Sequence, residues 1–204
     1  FKIEDRTYIA KIAEFPWVFT VRSDLNWKSL DDVAAAIKAS PEGIKWGWLG
    51  GTAGADGPVG QFRAALKQKG IDVSKVKMVT YHGGADLVTA VAGGHVDIGS
   101  ASTTSVGPMF SAGKIKFVAV TGNNRYAGYP DLKCTAEQGW KTVTFQGHVG
   151  YAGPKGLPAD IVKAIEEAIG GAIHSAEVKN ELAKIGAVPA FAGSQDFRKY
   201  VLDL

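Results

Sequence analysis

Residues 76–99 run Val76-Lys77-Met78-Val79-Thr80-Tyr81, then His82-Gly83-Gly84, then Ala85-Asp86-Leu87-Val88-Thr89-Ala90-Val91-Ala92, then Gly93-Gly94-His95-Val96-Asp97-Ile98-Gly99. The first group is apolar and rich in β-branched and aromatic residues, which fits a pleated, half-buried strand. The group from Ala85 to Ala92 reads as a short helix, and Gly93-Gly94 is its C-terminal stop. Residues 96–99 open a second strand. Strand, glycine turn, helix and strand in that order make a β-α-β unit, and such units predict parallel pairing with a right-handed crossover.

The same alternation extends in both directions. Upstream, residues 15–21 form the first strong strand. Ser29 then looks like an N-cap, with Asp32 in the capping-box position. Leu30, Val33, Ala34 and Ile37 repeat on one helical face. Ser40-Pro41-Glu42-Gly43 ends that helix. Residues 44–49 read as a strand and residues 58–69 as a helix stopped by Gly70. Downstream, residues 115–121 are nearly all apolar, as expected for a strand covered on both faces. Residues 126–139 carry turn chemistry, and residues 143–152 read as a strand. Helices follow over 159–175, where Ile161, Ile165, Ile169 and Ile173 are spaced by four, and over 177–185 and 195–202. The expected fold class is α/β, with helices on both faces of a parallel sheet. One strand near Val149 is too little for three closing helices, which predicts a missing partner sheet.

Composition narrows the functional classes. The chain has 204 residues, 23 Lys plus Arg against 20 Asp plus Glu, and a net charge of +3. A balance this even does not describe a nucleic-acid-binding stripe. A single cysteine, Cys134, excludes an internal disulfide and a Cys-based zinc cluster. No window is long and apolar enough to span a bilayer. The chain opens Phe1-Lys2-Ile3-Glu4-Asp5, without an initiator Met or an apolar leader, so its amino terminus is expected not to be the start of the gene product. Glycine is in excess, at 26 of 204 residues, about twice the usual ~7%.

Much of that excess falls in three clusters at the carboxyl ends of expected strands. The first is Trp48-Leu49-Gly50-Gly51-Thr52-Ala53-Gly54-Ala55-Asp56-Gly57, the second Tyr81-His82-Gly83-Gly84, and the third Gly99-Ser100-Ala101-Ser102-Thr103-Thr104. Each precedes a helix. Ligands of open parallel sheets bind beyond the carboxyl ends of the strands. Helix N-termini offer unpaired N–H groups and partial positive charge, and glycine lets an anion approach them closely. Together the clusters describe a cradle for a small anion read by backbone and hydroxyl donors. The plainer reading, glycines that only make turns, is the better account of any one cluster alone, and three clusters at one expected sheet edge bring the two readings close to level. Gly50 to Gly54 is neither a phosphate-binding loop with Gly-Lys-Ser/Thr nor a dinucleotide fingerprint. Asp56 is placed either to touch a ligand hydroxyl or to cap the following helix. Trp46 and Trp48 alternate with Gly47, leaving open which face is core and which is cleft.

Groups suited to catalysis are sparse. His82, His95, His148 and His174 show no metal-ligand spacing, no Gly-x-Ser-x-Gly elbow is present, and Ser100 and Ser102 lack an identifiable base. No catalytic residue, metal or cofactor is expected.

Tyr81-His82-Gly83-Gly84-Ala85-Asp86-Leu87, leading to Val91-Ala92-Gly93-Gly94-His95-Val96-Asp97-Ile98-Gly99, resembles a signature of the Bug family, the periplasmic solute-binding proteins of tripartite tricarboxylate transporters. Ala112-Gly113-Lys114-Ile115, Pro130-Asp131-Leu132, Glu137-Gln138-Gly139, Pro154-Lys155-Gly156-Leu157-Pro158 and Ile185-Gly186-Ala187 match in order. Gly50-Gly51-Thr52-Ala53-Gly54-Ala55-Asp56 is similar to one subfamily's glycine loop. The sequence departs from the family at Gly57, at His148 and at Cys134.

The resemblance implies a two-lobe, type II periplasmic-binding-protein architecture. Residues 1–16 and 146–204 would belong to an incomplete first lobe and residues 17–145 to the second. Roughly the first third of the mature protein would be missing. It further implies a monomeric, non-enzymatic periplasmic receptor. Such a receptor holds a small carboxylate between its lobes and hands it to integral membrane transporter subunits. Gly50, Gly51, Thr52, Ala53, Gly54, Asp56, Tyr81, Gly83, Gly84, Ser100 and Ser102 would be its ligand-binding positions here. The competing readings are an α/β enzyme acting on a small anionic metabolite, which would need a base beside the cradle, and the effector-sensing lobe of a regulator, which would need a DNA-binding segment.

Overall fold

The computed structural model describes residues 5–51 and 54–203. The chain divides into two compact units, residues 16–147 and residues 1–15 with 148–204.

In the unit 16–147 the strands are the second half of β1 (Arg6–Arg22), β2 (Lys45–Trp48), β3 (Lys77–Thr80), β4 (Ile98–Ser102) and β5 (Ile115–Val120), in the order β3-β2-β4-β1-β5. β2 runs parallel to β3, with Trp48 opposite Thr80, and parallel to β4, with Trp46 opposite Ile98. β1 runs antiparallel to both of its neighbours, pairing Val18 with Ala101 and with Val120. The sheet is therefore mixed, which corrects the expectation of a parallel one. No crossover helix joins β1 to the strands beside it, so nothing in the local sequence fixes its direction, and an antiparallel ladder satisfies its backbone equally well.

Helices cover both faces. α1 (Leu30–Ala39) and α2 (Asp56–Gln68) pack on one face, α3 (Gly84–Ala92) and α4 (Thr103–Ser111) on the other. α1 starts in a complete capping box: the Ser29 hydroxyl accepts from the Asp32 amide, and the Asp32 carboxylate accepts from the Ser29 amide. Its buried face is Leu30, Val33, Ala34 and Ile37, as the periodicity predicts. α2 buries Val59, Phe62, Ala65 and Leu66. The Phe62 ring stands 5.5 Å from Phe19, 5.7 Å from Trp46 and 4.7 Å from Trp140. Such aromatic pairs add roughly 0.5–1.5 kcal/mol each to the area they bury. Gly47 settles the question left by the two tryptophans. A Cβ there would lie 3.2 Å from Val96 and 3.3 Å from Leu87, on the α3 side. Trp46 and Trp48 therefore share the opposite face, the one that carries α2.

The unit formed by 1–15 and 148–204 holds the first half of β1, most of β6 (Gln146–Pro154), β7 (Val188–Gly193), α5 (Ala159–Ile173), α6 (Ala176–Lys184) and α7 (Ser194–Leu202). β6 and β7 both pair with β1, and β7 does so antiparallel, with Ala10 opposite Gly193 and Glu14 opposite Val188. This corrects the count of one strand for the three closing helices. β1 begins nine residues before the expected start at Phe15, and β7 lies in a segment with no expected strand. Tyr8 and Phe197 meet edge to face at 5.3 Å in a small core. Of the isoleucine stripe on α5, Ile173 is buried, whereas Ile161 and Ile165 are exposed, as are Tyr151, Ile185 and Phe191. Among the described residues no helix is long and apolar enough to cross a membrane.

Candidate functional site

The parallel register of β2, β3 and β4 brings the three loops that follow them to one edge of the sheet in the unit 16–147. The loop after β2 turns through Gly50 and Gly51, whose φ values of 79° and 80° lie in the left-handed region that favours glycine. It is held from behind by Asp56, the first residue of α2. One carboxylate oxygen accepts from the Leu49 amide and the other from the Gly51 amide, each at 2.7 Å. Asp56 thus spends its oxygens on the loop and places negative charge on the positive end of α2. Thr52 and Ala53 lie outside the described residues.

Gly54 and Gly57 allow two aromatic rings to close over the start of α2. A Cβ on Gly57 would stand 2.6 Å from the Phe145 ring, and one on Gly54 3.0 Å from Trp17. Phe145 is fixed there by Gln61, whose side-chain oxygen accepts from the Thr144 and Phe145 amides at 2.9 Å each.

The loop after β3 leaves the ladder at Tyr81, whose amide still donates to the Trp48 carbonyl at 2.9 Å. The Tyr81 ring packs against the core under α3. His82 is exposed. Gly83 caps α3 in an extended conformation and has no side chain to satisfy the first helical amides. Those amides, beginning with Gly84, have no acceptor within the helix.

The loop after β4 is short. Ser102 is the N-cap of α4, but its hydroxyl makes no capping bond. It meets Thr104 Oγ1 at 2.6 Å and Ser105 Oγ at 2.9 Å. Ser105 Oγ in turn lies 3.4 Å from where a Gly84 Cβ would be. The N-terminus of α3 and this hydroxyl cluster are therefore adjacent. Ser100 is different: it is 1% exposed, inside β4, and its hydroxyl has no hydrogen-bond partner among the described residues.

Of the expected positions, the structure brings Gly83, Gly84 and Ser102 together with Thr104 and Ser105. It places Gly50, Gly51 and Gly54 on the neighbouring loop, uses Asp56 as the clamp of that loop, packs the half-buried Tyr81 against the core, and buries Ser100. Ser105 was missed by sequence reasoning. The run Ser102-Thr103-Thr104-Ser105 after an apolar strand was the available signal. The donors at this edge are amides and hydroxyls. Among the described residues of the three loops and their helix starts, Asp56 and Asp86 carry the acidic side chains and no Lys or Arg is present. This arrangement suits a small anion held by neutral donors and later released.

The sequence model of one family, described as the tripartite tricarboxylate transporter family receptor, matches residues 1–204. The chain belongs to this family. Relatives include the UPF0065 protein of the TAR-I ttuE-ttuC' intergenic region of Agrobacterium vitis, 29% identical over 187 residues, covering 92% of this chain and 52% of that protein. Another is the UPF0065 protein of the gbd 5' region of Cupriavidus necator, 25% identical, covering 98% of this chain and 59% of that protein. The chain thus spans between half and three-fifths of the length of these relatives. Among solved structures, Rpa4515 of R. palustris with adipate superposes with a TM-score of 0.85 at 23% identity, covering 98% of this chain and 64% of that one. The periplasmic binding protein BugD superposes with a TM-score of 0.81 at 22% identity, covering 97% and 65%. The fold is that of the periplasmic solute-binding receptors.

Proposed function

We propose that this receptor-family chain captures a small organic carboxylate in the bacterial periplasm and delivers it to the integral membrane subunits of a tripartite transporter, without chemical change to the acid. The observation that carries this reading is the set of neutral donors at one sheet edge: the α3 amides from Gly84 onward and the hydroxyls of Ser102, Thr104 and Ser105, adjacent to one another. A carboxylate seated there gains hydrogen bonds to a charged acceptor, each worth about 1.5–3 kcal/mol. Among the described residues of the three loops it meets no Lys or Arg that would slow its release. Gly50, Gly51 and Gly54 form the flank of the cradle. Family membership supports the role, and Rpa4515 with adipate and the malate-bound MatC of Rhodopseudomonas palustris support the ligand class. In this reading residues 16–147 form the second lobe of the receptor and the other unit contributes to the first, and the receptor works as a monomer.

The test is a thermal-shift screen of mono-, di- and tricarboxylates on the full-length protein. An acid at about 100 times its Kd adds ~2.7 kcal/mol, which raises the Tm by several degrees. A flat response to every carboxylate contradicts the reading.

A further inference from the structure

Beside α2, within the unit 16–147, lies a groove of about 630 Å³ whose walls include Trp48, Val59, Gly60, Arg63, Met78 and Phe145. Two of its groups are poorly satisfied by the protein itself. The half-buried Arg63 guanidinium touches only neutral acceptors, Met78 Sδ at 3.1 Å and the Val73 carbonyl at 3.5 Å, and among the described residues it forms no ion pair. Asp56, the acidic group among the described residues lining the groove, is committed to the Leu49 and Gly51 amides. Trp48 carries a solvent-shielded indole N–H with no hydrogen-bond partner among the described residues. Arginine keeps its charge even when partly buried, so a guanidinium beside Met78, in a groove also walled by Val59 and Phe145, favours an anion that carries an apolar body.

The position of the groove links it to the cradle. Gly51 and Gly54, on the loop after β2, also form part of its rim. Arg63 is seven residues along α2 from Asp56, about 10 Å of helix rise. Its guanidinium lies beside Met78 Sδ and the Val73 carbonyl, at the far end of the groove from Gly51 and Asp56. Gly60 has open space where a Cβ would be, so the path along the helix is clear.

We propose that this groove receives the far end of an extended organic diacid, with Arg63 as the receptor for its second carboxylate and Val59, Met78 and Phe145 against its chain. The proposal rests on the receptor reading above and names the ligand class more closely. It makes Arg63 a specificity-determining residue.

The experiment is calorimetric titration of the full-length protein with pimelate, heptanoate and succinate, for the wild type, Arg63→Gln and Arg63→Lys. Pimelate is expected to bind about tenfold or more tighter than heptanoate in the wild type. Arg63→Gln should abolish that preference while leaving heptanoate within about twofold, and Arg63→Lys should keep part of it. The lysine variant also serves if the glutamine variant does not fold. Undiminished pimelate binding by Arg63→Gln overturns the groove proposal alone, as does a wild type that binds succinate but not pimelate. A wild type that binds none of the three, nor any acid of the thermal-shift panel, overturns the receptor reading with it.

Discussion

Asp56→Ala removes the clamp that holds the loop after β2. Two charge-assisted hydrogen bonds are lost, both at 2.7 Å, to the amides of Leu49 and Gly51. Bonds to a charged acceptor contribute about 1.5–3 kcal/mol each, but Asp56 is half-exposed and water replaces part of what is removed, which argues for the lower end. Loss of a favourable charge at the start of α2 adds roughly 0.3–1 kcal/mol. The expected total is about 3–4 kcal/mol of destabilisation. Asn at this position keeps one acceptor and recovers part of the loss. The assay is urea unfolding of the ligand-free protein, followed by carboxylate titration of the folded variant. Because the clamp acts on the empty loop, the destabilisation must appear without ligand. If Asp56→Ala unfolds within about 0.5 kcal/mol of the wild type and loses only ligand affinity, Asp56 contacts ligand and the clamp argument is refuted.

Gly57→Ala should destabilise by about 1–3 kcal/mol, because its Cβ would stand 2.6 Å from the Phe145 ring and that overpacking has to be relieved. Phe145→Ala in the same background should recover part of the loss in urea unfolding. Ser29→Ala should cost about 0.5–2 kcal/mol by opening the capping box of α1, read from the shift in urea midpoint. Burial, and then the nearby Lys11, hold His148 below its ordinary value near 6.5, against the opposing pull of Glu14. Its neutral form packs on Phe197 and Tyr200. The unfolded chain therefore takes up this proton first: the stabilisation is present above about pH 6.5 and is lost as pH falls through the lower folded value. Urea midpoints should decline on acidification in the wild type, and less steeply in His148→Phe.

What was legible in the sequence was mostly local. The capping box at Ser29 and Asp32, the α1 face and the glycine stops after α2 and α3 depend on residues within a few positions of one another, and they stand as the pattern predicts. The direction of β1 was not legible, because its partners Ala101 and Val120 are far away in the chain. β7 was hidden by Pro189 and by small residues, Ala190, Ala192 and Gly193, which weaken any strand signal. The limits of α4 were obscured by Gly107 and Pro108, which sit inside the helix. At the site, the glycine clusters marked the correct edge, but burial decided the individual roles. Ser100 and Ser102 are two residues apart on one strand, yet only Ser102 reaches the hydroxyl cluster. Arg63 could not be singled out, since its lack of an anionic partner is a property of the folded groove.

The central claim is that the amides at the start of α3 hold a carboxylate, and Gly84→Pro tests it most directly. Proline at the first helical position removes one N–H with little cost to the helix. Gly83 already has the extended conformation that a following proline requires, and a Cβ on Gly84 meets the Ser105 side chain at ordinary distances, 3.4 Å to Oγ and 3.7 Å to Cβ. Calorimetric titration of the full-length protein with its best carboxylate should show affinity reduced about tenfold or more, with the urea midpoint nearly unchanged. Wild-type affinity in a folded Gly84→Pro protein would contradict the account.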